Sequence, residues 1–314
     1  MNNFQSEMKN DNKVLIFLSL YNGEKYIKEQ LDSLLSQTVP VMILARDDGS
    51  TDNTVKIVDE YINNHENIML IKGSNLGFVR SFNSLLSENI ADDYEWFAFC
   101  DQDDVWLPDK LEKAISKLKQ TNDTKIPLMY CSNLIIVDEK LEKIGMMHHN
   151  LKKVLNSCIF VENWATGCTV VFNKSALYEY RNVVHINMIA HDYTMLCICK
   201  YFGHVFYDFN SYILYRQHGN NVYGSGSVTY LKGFRNILRD LVHPKIEKRR
   251  LFFKDFIDYY KDKIHKTDFM FLNRFVNYKK HFNRLYLMID PKVKGFNKKA
   301  TIAFKARLLA GRMY

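Results

Sequence analysis

Three carboxylates lie within four residues, at Asp101, Asp103 and Asp104, directly after an apolar run of the chain. Carboxylates this close repel one another unless a cation or solvent screens their charge. Mg²⁺ or Mn²⁺ held by one or two carboxylates, with phosphate oxygens of a substrate completing the coordination, suits such a cluster. The alternative is a solvated acidic loop whose aspartates cap the next helix. The spacing therefore indicates a divalent-metal site that binds a phosphorylated ligand.

The elements that position this cluster alternate between strands and helices. Four apolar runs predict buried strands: Lys13–Leu20, Val41–Arg46, Asn67–Lys72 and Trp96–Cys100. Helical spacing follows each run, over Tyr26–Leu35, from about Ser50, over Phe78–Leu86 and from Pro108. Strands that alternate with helices predict an α/β fold with a parallel sheet covered on both faces. Ligands of such sheets bind at the carboxyl ends of the strands, so the residues after each run are the functional candidates.

Polar residues follow all four runs. They are Tyr21, Asn22, Gly23 and Glu24; Asp47, Asp48, Gly49, Ser50, Thr51 and Asp52; Gly73, Asn75, Gly77 and Arg80; and the acidic cluster with Gln102. Turn and helix-capping chemistry is the alternative for any single loop, since Asp, Ser and Gly favour both. Neither G-x-x-x-x-G-K-[ST] nor G-x-G-x-x-G occurs in the chain, so a P-loop or a dinucleotide-binding turn does not explain these loops.

Four segments, in this order, resemble glycosyltransferase family 2: YNGEKYIKEQLDSLLSQT, RDDGSTDNT, NLGFVRSFN and FCDQDDVWLPDKL. The resemblance covers residues 13 to about 220 and implies the GT-A fold and inverting transfer of a sugar from a nucleotide donor. DQDDVW together with YRQHGNNV resembles bacterial rhamnosyltransferases of cell-surface polysaccharide synthesis, which use dTDP-L-rhamnose. A UDP-hexose donor and a catalytically idle nucleotide-sugar or glycan-binding module are the alternatives. A nucleotidyltransferase is a weaker one, because residues 19–25 lack the glycine-rich phosphate loop of such enzymes.

The resemblance implies roles for single residues. Donor binding is implied for Tyr21, Asn22, Glu24, Asp47, Asp48, Gly77, Arg80 and Asp101, and metal binding for Asp103 with Asp101. A carboxylate beside the nucleobase of the donor is apt, since a uracil or thymine ring presents an imide N–H donor. The metal, Mg²⁺ or Mn²⁺, would neutralise charge on the leaving nucleoside diphosphate. His218, or Arg216 near it, would be a further metal ligand or phosphate contact; the alternative is a loop histidine that binds no ligand.

Two later segments are implied to form the acceptor side of the site. Trp164, Gly167 and His191 are the acceptor candidates, and Asp192 is the implied general base that deprotonates the attacking hydroxyl. The Trp164 indole could stack on a sugar, although an aromatic residue beside a strand is more often part of a core. Asp192 opens an amphipathic helix where the family carries Glu-Asp. Its alternative role is that of a carboxylate favoured by the helix dipole.

Composition and charge separate the chain into parts. The 314 residues are 47% hydrophobic and 25% charged, which excludes a disordered or collagen-like chain. Residues 1–224 carry 21 basic and 28 acidic side chains, a net −7, whereas residues 225–314 carry 22 and 7, a net +15. We therefore expect a polar segment at 1–12, a GT-A catalytic domain at 13–224 and a basic helical region at 225–314. Six cysteines without a C-x-x-C pair predict free thiols.

The basic region predicts association with an anionic membrane surface. Apolar residues recur there at helical spacing: Leu231, Phe234, Ile237, Leu238, Leu241 and Val242, then Leu251, Phe252, Phe253, Phe256, Ile257 and Tyr260. No apolar run has the length of a spanning helix and no secretory signal opens the chain, so we expect a cytoplasmic protein, peripheral on the inner face of the plasma membrane. The alternatives are packing on the catalytic domain or on a second copy in a homodimer. Nucleic-acid binding is not expected.

Overall fold

The computed structural model describes residues 12–309 apart from 122, 124, 156–157 and 219–244. The chain forms two compact units. The first lies within Met1–Met147, Ala165–Asn182 and Ala190–Gly224, and the second within His148–Trp164, Val183–Ile189 and Ser225–Tyr314. The second unit thus includes two segments that the sequence analysis placed in the catalytic domain. The predicted helical pattern at 231–242 and all but the last residue of the polar segment 1–12 lie outside the described residues.

A nine-stranded sheet forms the centre of the first unit. Its strands are β1 (Val14–Leu20), β2 (Val41–Asp47), β3 (Ile68–Lys72), β4 (Trp96–Cys100), β5 (Val105–Trp106), β6 (Leu128–Val137), β7 (Lys143–Met146), β8 (Val171–Asn173) and β9 (His204–Arg216). Their order is β3-β2-β1-β4-β8-β6-β9-β5, with β7 paired to β6. The long ladders β3-β2-β1-β4 and β6-β9 are parallel, and the antiparallel ladders span two or three residue pairs each. The sheet is therefore mostly parallel, as predicted.

The register of the first three strands aligns their carboxyl ends. Leu20 of β1 pairs with Asp47 of β2, and Asp47 pairs with Lys72 of β3. Residues Val14–Leu18 of β1 are fully buried, as is typical of a parallel strand covered on both faces. The loops after these three strands consequently begin at one edge of the sheet, which is where the sequence predicts the donor residues.

The described helices are α1 (Ile27–Leu35), α2 (Thr54–Ile62), α3 (Phe78–Leu86), α4 (Lys110–Leu118), α5 (Leu151–Leu155), α6 (Lys174–Asn182), α7 (His191–Phe202), α8 (Lys245–Tyr260), α9 (Lys266–Val276), α10 (His281–Ile289) and α11 (Lys298–Leu309). α2 begins four residues later than predicted, because Ser50 and Asp52 bond to the loop after β1. α4 begins after Pro108, because Leu107 still bonds to β9. None of the helices in the described ranges combines the length and the apolar composition that a bilayer crossing needs.

Aromatic side chains form the core of the second unit. The Phe160 ring stacks on Phe275 with 4.4 Å between centroids and meets Phe253 of α8 edge to face at 4.7 Å. The helical spacing of 251–260 predicts that the apolar side of α8 faces a membrane. Five of those residues are 4% exposed or less: Phe252, Phe253, Phe256, Ile257 and Tyr260. The prediction is wrong for α8, because these side chains pack in the protein interior.

Candidate active site

The acidic loop after β4 lies beside the segment that follows β9. β5 comes directly after the acidic loop and pairs with Ile213 and Leu214 of β9. This ladder brings the residues after β9 alongside the loop. The His218 Nε2 atom lies 2.8 Å from the Asp103 Oδ2 atom, and the two side chains are 10% and 18% exposed. Two of the three predicted metal ligands are therefore in contact at a position that solvent reaches.

Arg216 holds the acidic loop in place. Its Nε donates to the Asp103 carbonyl at 2.9 Å, and its backbone N–H donates to the Asp104 carboxylate at 3.1 Å. Nη1 donates to the Glu139 carbonyl at 2.6 Å, while Nη2 pairs with the Glu29 carboxylate. Arg216 is 1% exposed. Because its donors bond to the protein and the guanidinium is buried, the geometry favours a positioning role over a phosphate contact.

A second group of possible metal ligands lies next to the first. Ligand atoms of Asp101, Asp104 and Cys168 lie within 4.8 Å of one another. Burial raises the pKa of the Cys168 thiol well above its ordinary value, and the charges of Asp104 and Asp101 raise it further. The thiol therefore keeps its proton, and a protonated thiol is a poor metal ligand. Asp103 and His218, with Asp101, form the better donor set.

Asp192 lies within electrostatic reach of the acidic loop. It occupies the first turn of α7, which begins at His191. Burial, and then the negative charges of Asp103 and Asp192, raise the pKa of Asp101 to about 7. Like charges produce such shifts only over short distances. A Cβ atom on Gly167 would lie 3.7 Å from the Asp192 Cβ, and a ligand atom of the next residue, Cys168, lies within 4.8 Å of one of Asp101. The predicted base therefore lies near the acidic loop.

The acceptor candidates are buried. The His191 ring stacks on Phe82 with 3.7 Å between centroids and meets Phe99 edge to face at 4.6 Å. Burial lowers the pKa of His191 to about 3, so the ring is neutral. A Cβ atom on Gly167 would lie 2.9 Å from His191 Nε2, so the glycine leaves room for the imidazole. Trp164 belongs to the second unit and is 4% exposed. All three positions are packed, and their contact with an acceptor stays a prediction.

Asn22 and Glu24 connect the loop after β1 to the loop after β2. Asn22 has a left-handed backbone, with φ of 48°, and its Oδ1 accepts from the Thr51 N–H at 2.8 Å. Glu24 Oε2 accepts from the backbone N–H and the side-chain amide of Asn53 at 2.9 and 2.8 Å. The Glu24 N–H in turn donates to Asp52 at 3.1 Å. These two predicted donor residues thus fix the relative position of the loops.

Both carboxylates at the end of β2 are buried and bonded within the protein. Asp47 is 4% exposed and accepts from the Gly49 N–H at 3.1 Å. Asp48 is 3% exposed, pairs with Arg46, and accepts from the Gly77 N–H at 2.8 Å. The last bond joins the loop after β2 to the loop after β3. Arg46 is not among the predicted site residues, although a charged residue at the end of an apolar strand can indicate a buried ion pair.

Tyr21 and Arg80 are donor candidates with exposed side chains. Tyr21 is 47% exposed, and Arg80 is exposed on α3. The Gln102 amide holds the Tyr21 backbone, accepting from its N–H and donating to its carbonyl, both at 2.8 Å. A Cβ atom on Gly23 would lie 2.4 Å from Gln102 Oε1, so glycine permits this close approach. Gln102 therefore links the acidic loop to the loop after β1, a contact that the sequence analysis did not predict.

A mostly parallel sheet with clustered carboxylates at its carboxyl edge is compatible with a glycosyltransferase, and comparisons with known proteins show that the chain is one. The sequence profile of "Glycosyl transferase family 2" matches residues 15–181. The dTDP-rhamnosyl transferase RfbG of Shigella flexneri is 31% identical over 219 residues, which are 66% of this chain and 74% of that protein. The chain belongs to glycosyltransferase family 2, and the family inferred from the sequence motifs is confirmed.

Two solved structures share the fold. Staphylococcus aureus TarS 1–349 has a TM-score of 0.58 at 17% identity, over 96% of this chain and 81% of that chain. The mannosyltransferase PcManGT of Pyrobaculum calidifontis, solved with GDP-Man and Mn²⁺, has a TM-score of 0.51 at 18% identity, over 95% and 75%. The predicted GT-A type of α/β fold and the helical C-terminal region are confirmed.

Proposed function

We propose that the protein transfers L-rhamnose from dTDP-L-rhamnose, with inversion and with the help of a divalent metal, to a hydroxyl of a growing surface polysaccharide or lipid-linked glycan. The observation that carries the proposal is the arrangement of the acidic loop, where Asp103 Oδ2 lies 2.8 Å from His218 Nε2 and ligand atoms of Asp101 and Asp104 lie within 4.8 Å of each other. The negative charge of Asp192 contributes to the raised pKa of Asp101. The similarity to RfbG supports the choice of donor. Incubation with nucleotide sugars and Mn²⁺, followed by measurement of released nucleoside diphosphate, tests the proposal as a whole.

In this mechanism Asp192 is the general base. Its carboxylate takes the proton of the acceptor hydroxyl, whose oxygen attacks the anomeric carbon from the face opposite the nucleoside diphosphate. The bond to the diphosphate oxygen breaks as the glycosidic bond forms, so no covalent enzyme intermediate is needed. The first turn of α7 suits this role, because the helix dipole stabilises a negative charge there.

Asp103, Asp101 and His218 would hold Mg²⁺ or Mn²⁺. Carboxylate oxygens suit both ions, and the like charges that raise the pKa of Asp101 are those that a bound cation would offset. When bound, the ion neutralises charge on the diphosphate as it leaves. Arg216 and Gln102 keep the loop that carries Asp101 and Asp103 in position through their contacts with Asp103 and Tyr21.

Donor choice is tested by comparing nucleotide sugars. We expect kcat/KM for dTDP-L-rhamnose to exceed that for UDP-glucose or UDP-galactose by about ten-fold or more, because sugar contacts of a site discriminate on this scale. The measurement is release of nucleoside diphosphate at equal enzyme and metal concentrations. Preferred turnover of a UDP-hexose would overturn the rhamnose donor and leave the family unchanged. Binding without release of diphosphate from any donor would indicate an idle module.

Arg216→Lys should raise the Mn²⁺ concentration required for half-maximal activity by about ten-fold, since residues that orient metal ligands typically change affinity on this scale. Lysine keeps a positive charge near Glu29, but it lacks the planar fork that reaches the Asp103 and Glu139 carbonyls together. The acidic loop then loses a bond next to a proposed ligand. The measurement is the transfer rate as a function of Mn²⁺ concentration.

Arg181→Lys is the matched control for that variant. Arg181 donates to the Leu86 and Glu88 carbonyls at 2.7 and 2.8 Å and pairs with Asp92. These partners precede β4, whereas the acidic loop follows it. We expect Arg181→Lys to lower the melting temperature without changing the Mn²⁺ requirement. The same Mn²⁺ requirement in both variants would contradict a positioning role for Arg216.

A membrane location completes the proposal. A lipid-linked acceptor would be present at the cytoplasmic face of the plasma membrane, and the net +15 of residues 225–314 supports peripheral binding there. The alternative use of the basic region is a homodimer contact.

A further inference from the structure

One helix of the second unit turns an apolar stripe to solvent. Four residues of α10 recur at the i, i+3, i+4, i+7 spacing of a single helix face: Phe282 (84% exposed), Leu285 (44%), Tyr286 (39%) and Ile289 (79%). Leu287, on another side of the helix, is fully buried. A surface helix ordinarily buries its apolar stripe and exposes its polar side. α10 therefore has a second apolar face that stays largely exposed, although Tyr286 also contacts the Arg274 guanidinium, which lies 4.0 Å from its ring centroid.

α11 contacts α10 and exposes two further apolar side chains. Ile302 is 68% exposed and Leu309 is 56% exposed. The two helices are in contact, and Arg284 of α10 donates to the Leu309 carbonyl at 3.4 Å. The opposite side of α11 packs inward, since Phe304 and Leu308 are buried. We name the six residues the outward apolar surface: Phe282, Leu285, Tyr286, Ile289, Ile302 and Leu309. Exposed apolar patches on a protein surface mark interaction sites.

The charge around the outward apolar surface has one sign. Residues 279–309 contain nine Lys or Arg residues and one acidic residue, Asp290. Asp290 is 8% exposed, and its carboxylate accepts from the Lys292 N–H at 2.8 Å. Six exposed lysines are Lys279, Lys280, Lys292, Lys294, Lys298 and Lys299. A partner of this surface must therefore be apolar and negatively charged.

We propose that the outward apolar surface inserts into the interface of an anionic lipid bilayer, with the surrounding lysines bound to lipid phosphates. Exposed Phe, Leu and Ile beside Lys and Arg are the composition of helices that lie in a membrane interface. Each basic residue near such a surface adds to the attraction. The proposal deepens the membrane location given under the proposed function. In this proposal α10 and α11 contact the membrane. α8 does not, because its apolar side is buried.

Two other partners fit this surface less well. A second copy of the chain would place the same nine-to-one excess of basic residues on both sides of a symmetric contact, and like charges that face one another oppose association. Nucleic acid would use the lysines, but aliphatic side chains as exposed as Ile289 and Ile302 have no role in phosphate contacts. An anionic bilayer would bind both the lysines, through its phosphates, and the exposed apolar side chains, through its acyl chains.

Flotation of the full-length protein with lipid vesicles tests the proposal. The probes are vesicles with equal parts of phosphatidylglycerol and phosphatidylcholine, and vesicles of phosphatidylcholine alone. We expect flotation with the anionic vesicles and a loss of binding at about 1 M salt, where charges are screened beyond about 3 Å. The double variant F282Q/I289Q should reduce the vesicle partition constant by about ten-fold or more, because two large apolar side chains no longer enter the bilayer.

The matched control is the double variant M69Q/I144Q. Met69 in β3 and Ile144 in β7 are 44% and 64% exposed, but they belong to the first unit. We expect this control to float like the natural chain. A charge variant, K279Q/K292Q, should weaken binding to anionic vesicles while leaving the melting temperature unchanged, because both lysines are exposed. It also keeps the proposal testable if F282Q/I289Q misfolds.

Several results would overturn the proposal. The first is absence of flotation with anionic vesicles at low salt. The second is equal flotation of the natural chain and of the variants F282Q/I289Q and K279Q/K292Q. The third is a protein that does not bind vesicles and forms a dimer in solution, which F282Q/I289Q converts to a monomer. The assay contains no nucleotide sugar and measures no turnover. Its failure therefore leaves the proposed transfer reaction intact, and a failure to detect transfer leaves the flotation result unaffected.

Discussion

Asp103→Ala should reduce sugar transfer by at least about 10³-fold, because a metal that stabilises charge on the leaving group contributes several kcal/mol to the transition state. The fold should persist, since the Asp103 side chain is 18% exposed and lies in a loop after the buried strand β4. The measurements are release of nucleoside diphosphate with saturating donor and Mn²⁺, and the melting temperature of the variant. Loss of activity with an unchanged melting temperature is the expected result.

Two further variants separate metal binding from general damage to the site. His218→Gln removes the imidazole that contacts Asp103 and should raise the Mn²⁺ requirement without abolishing transfer. Asp93→Ala changes an exposed carboxylate before β4 and should have no effect on either quantity. Full activity of the natural enzyme in excess EDTA would contradict metal dependence and would reassign Asp103 to a structural role.

The position of the site could be predicted from sequence because apolar runs define where strands end. Val14–Leu20 and Trp96–Cys100 are unbroken apolar runs apart from Ser19, so the turn to polar residues is sharp. In a parallel sheet those turns meet at one edge. The acidic loop and the residues after β1 were therefore correctly predicted to lie at a common edge of the fold.

The bonds that hold the site could not be predicted in the same way. Arg216 and Asp103 are 113 residues apart, and the contact depends on the pairing of the two-residue strand β5 with β9. A strand of that length has no periodic signal in the sequence. The sequence also indicates Asp48 as a contact to the nucleobase of the donor. It does not reveal that Arg46 lies beside Asp48 and pairs with its carboxylate.

Amphipathic helices show a related limit of prediction from the sequence. Hydrophobic spacing identifies the apolar side of a helix, but it carries no information about what covers that side. α8 and α10 both have such a side. The residues of α8 are buried, with Phe252 and Phe256 at 0% exposure, whereas Phe282 of α10 is 84% exposed. Only the packing of the folded chain shows that the apolar side of α8 is buried and that the apolar stripe of α10 is exposed.

Asp192→Asn should reduce the transfer rate by about 10²- to 10⁴-fold, the usual effect of removing a general base. The amide has nearly the shape of the carboxylate but does not accept the proton of the attacking hydroxyl. Donor binding should survive, because Asp192 lies on α7, whereas the proposed donor residues lie at the carboxyl ends of β1, β2 and β4, in the loops that follow, and on α3. The measurements are single-turnover transfer and the rise in melting temperature that donor and Mn²⁺ produce.

A normal melting shift with lost turnover would identify Asp192 as the base and would distinguish it from a structural carboxylate at the start of α7. Transfer by Asp192→Asn at the natural rate would place the base elsewhere, with Asp104 and Glu162 as the next candidates. Asp104 is fully buried and accepts from the Arg216 N–H at 3.1 Å. Glu162 lies in the second unit, accepts from the Asn297 N–H at 3.3 Å, and has a pKa raised by burial. Asp192 is only partly buried and belongs to the unit that carries the acidic loop, so we favour it over the fully buried Asp104 and over Glu162 of the second unit.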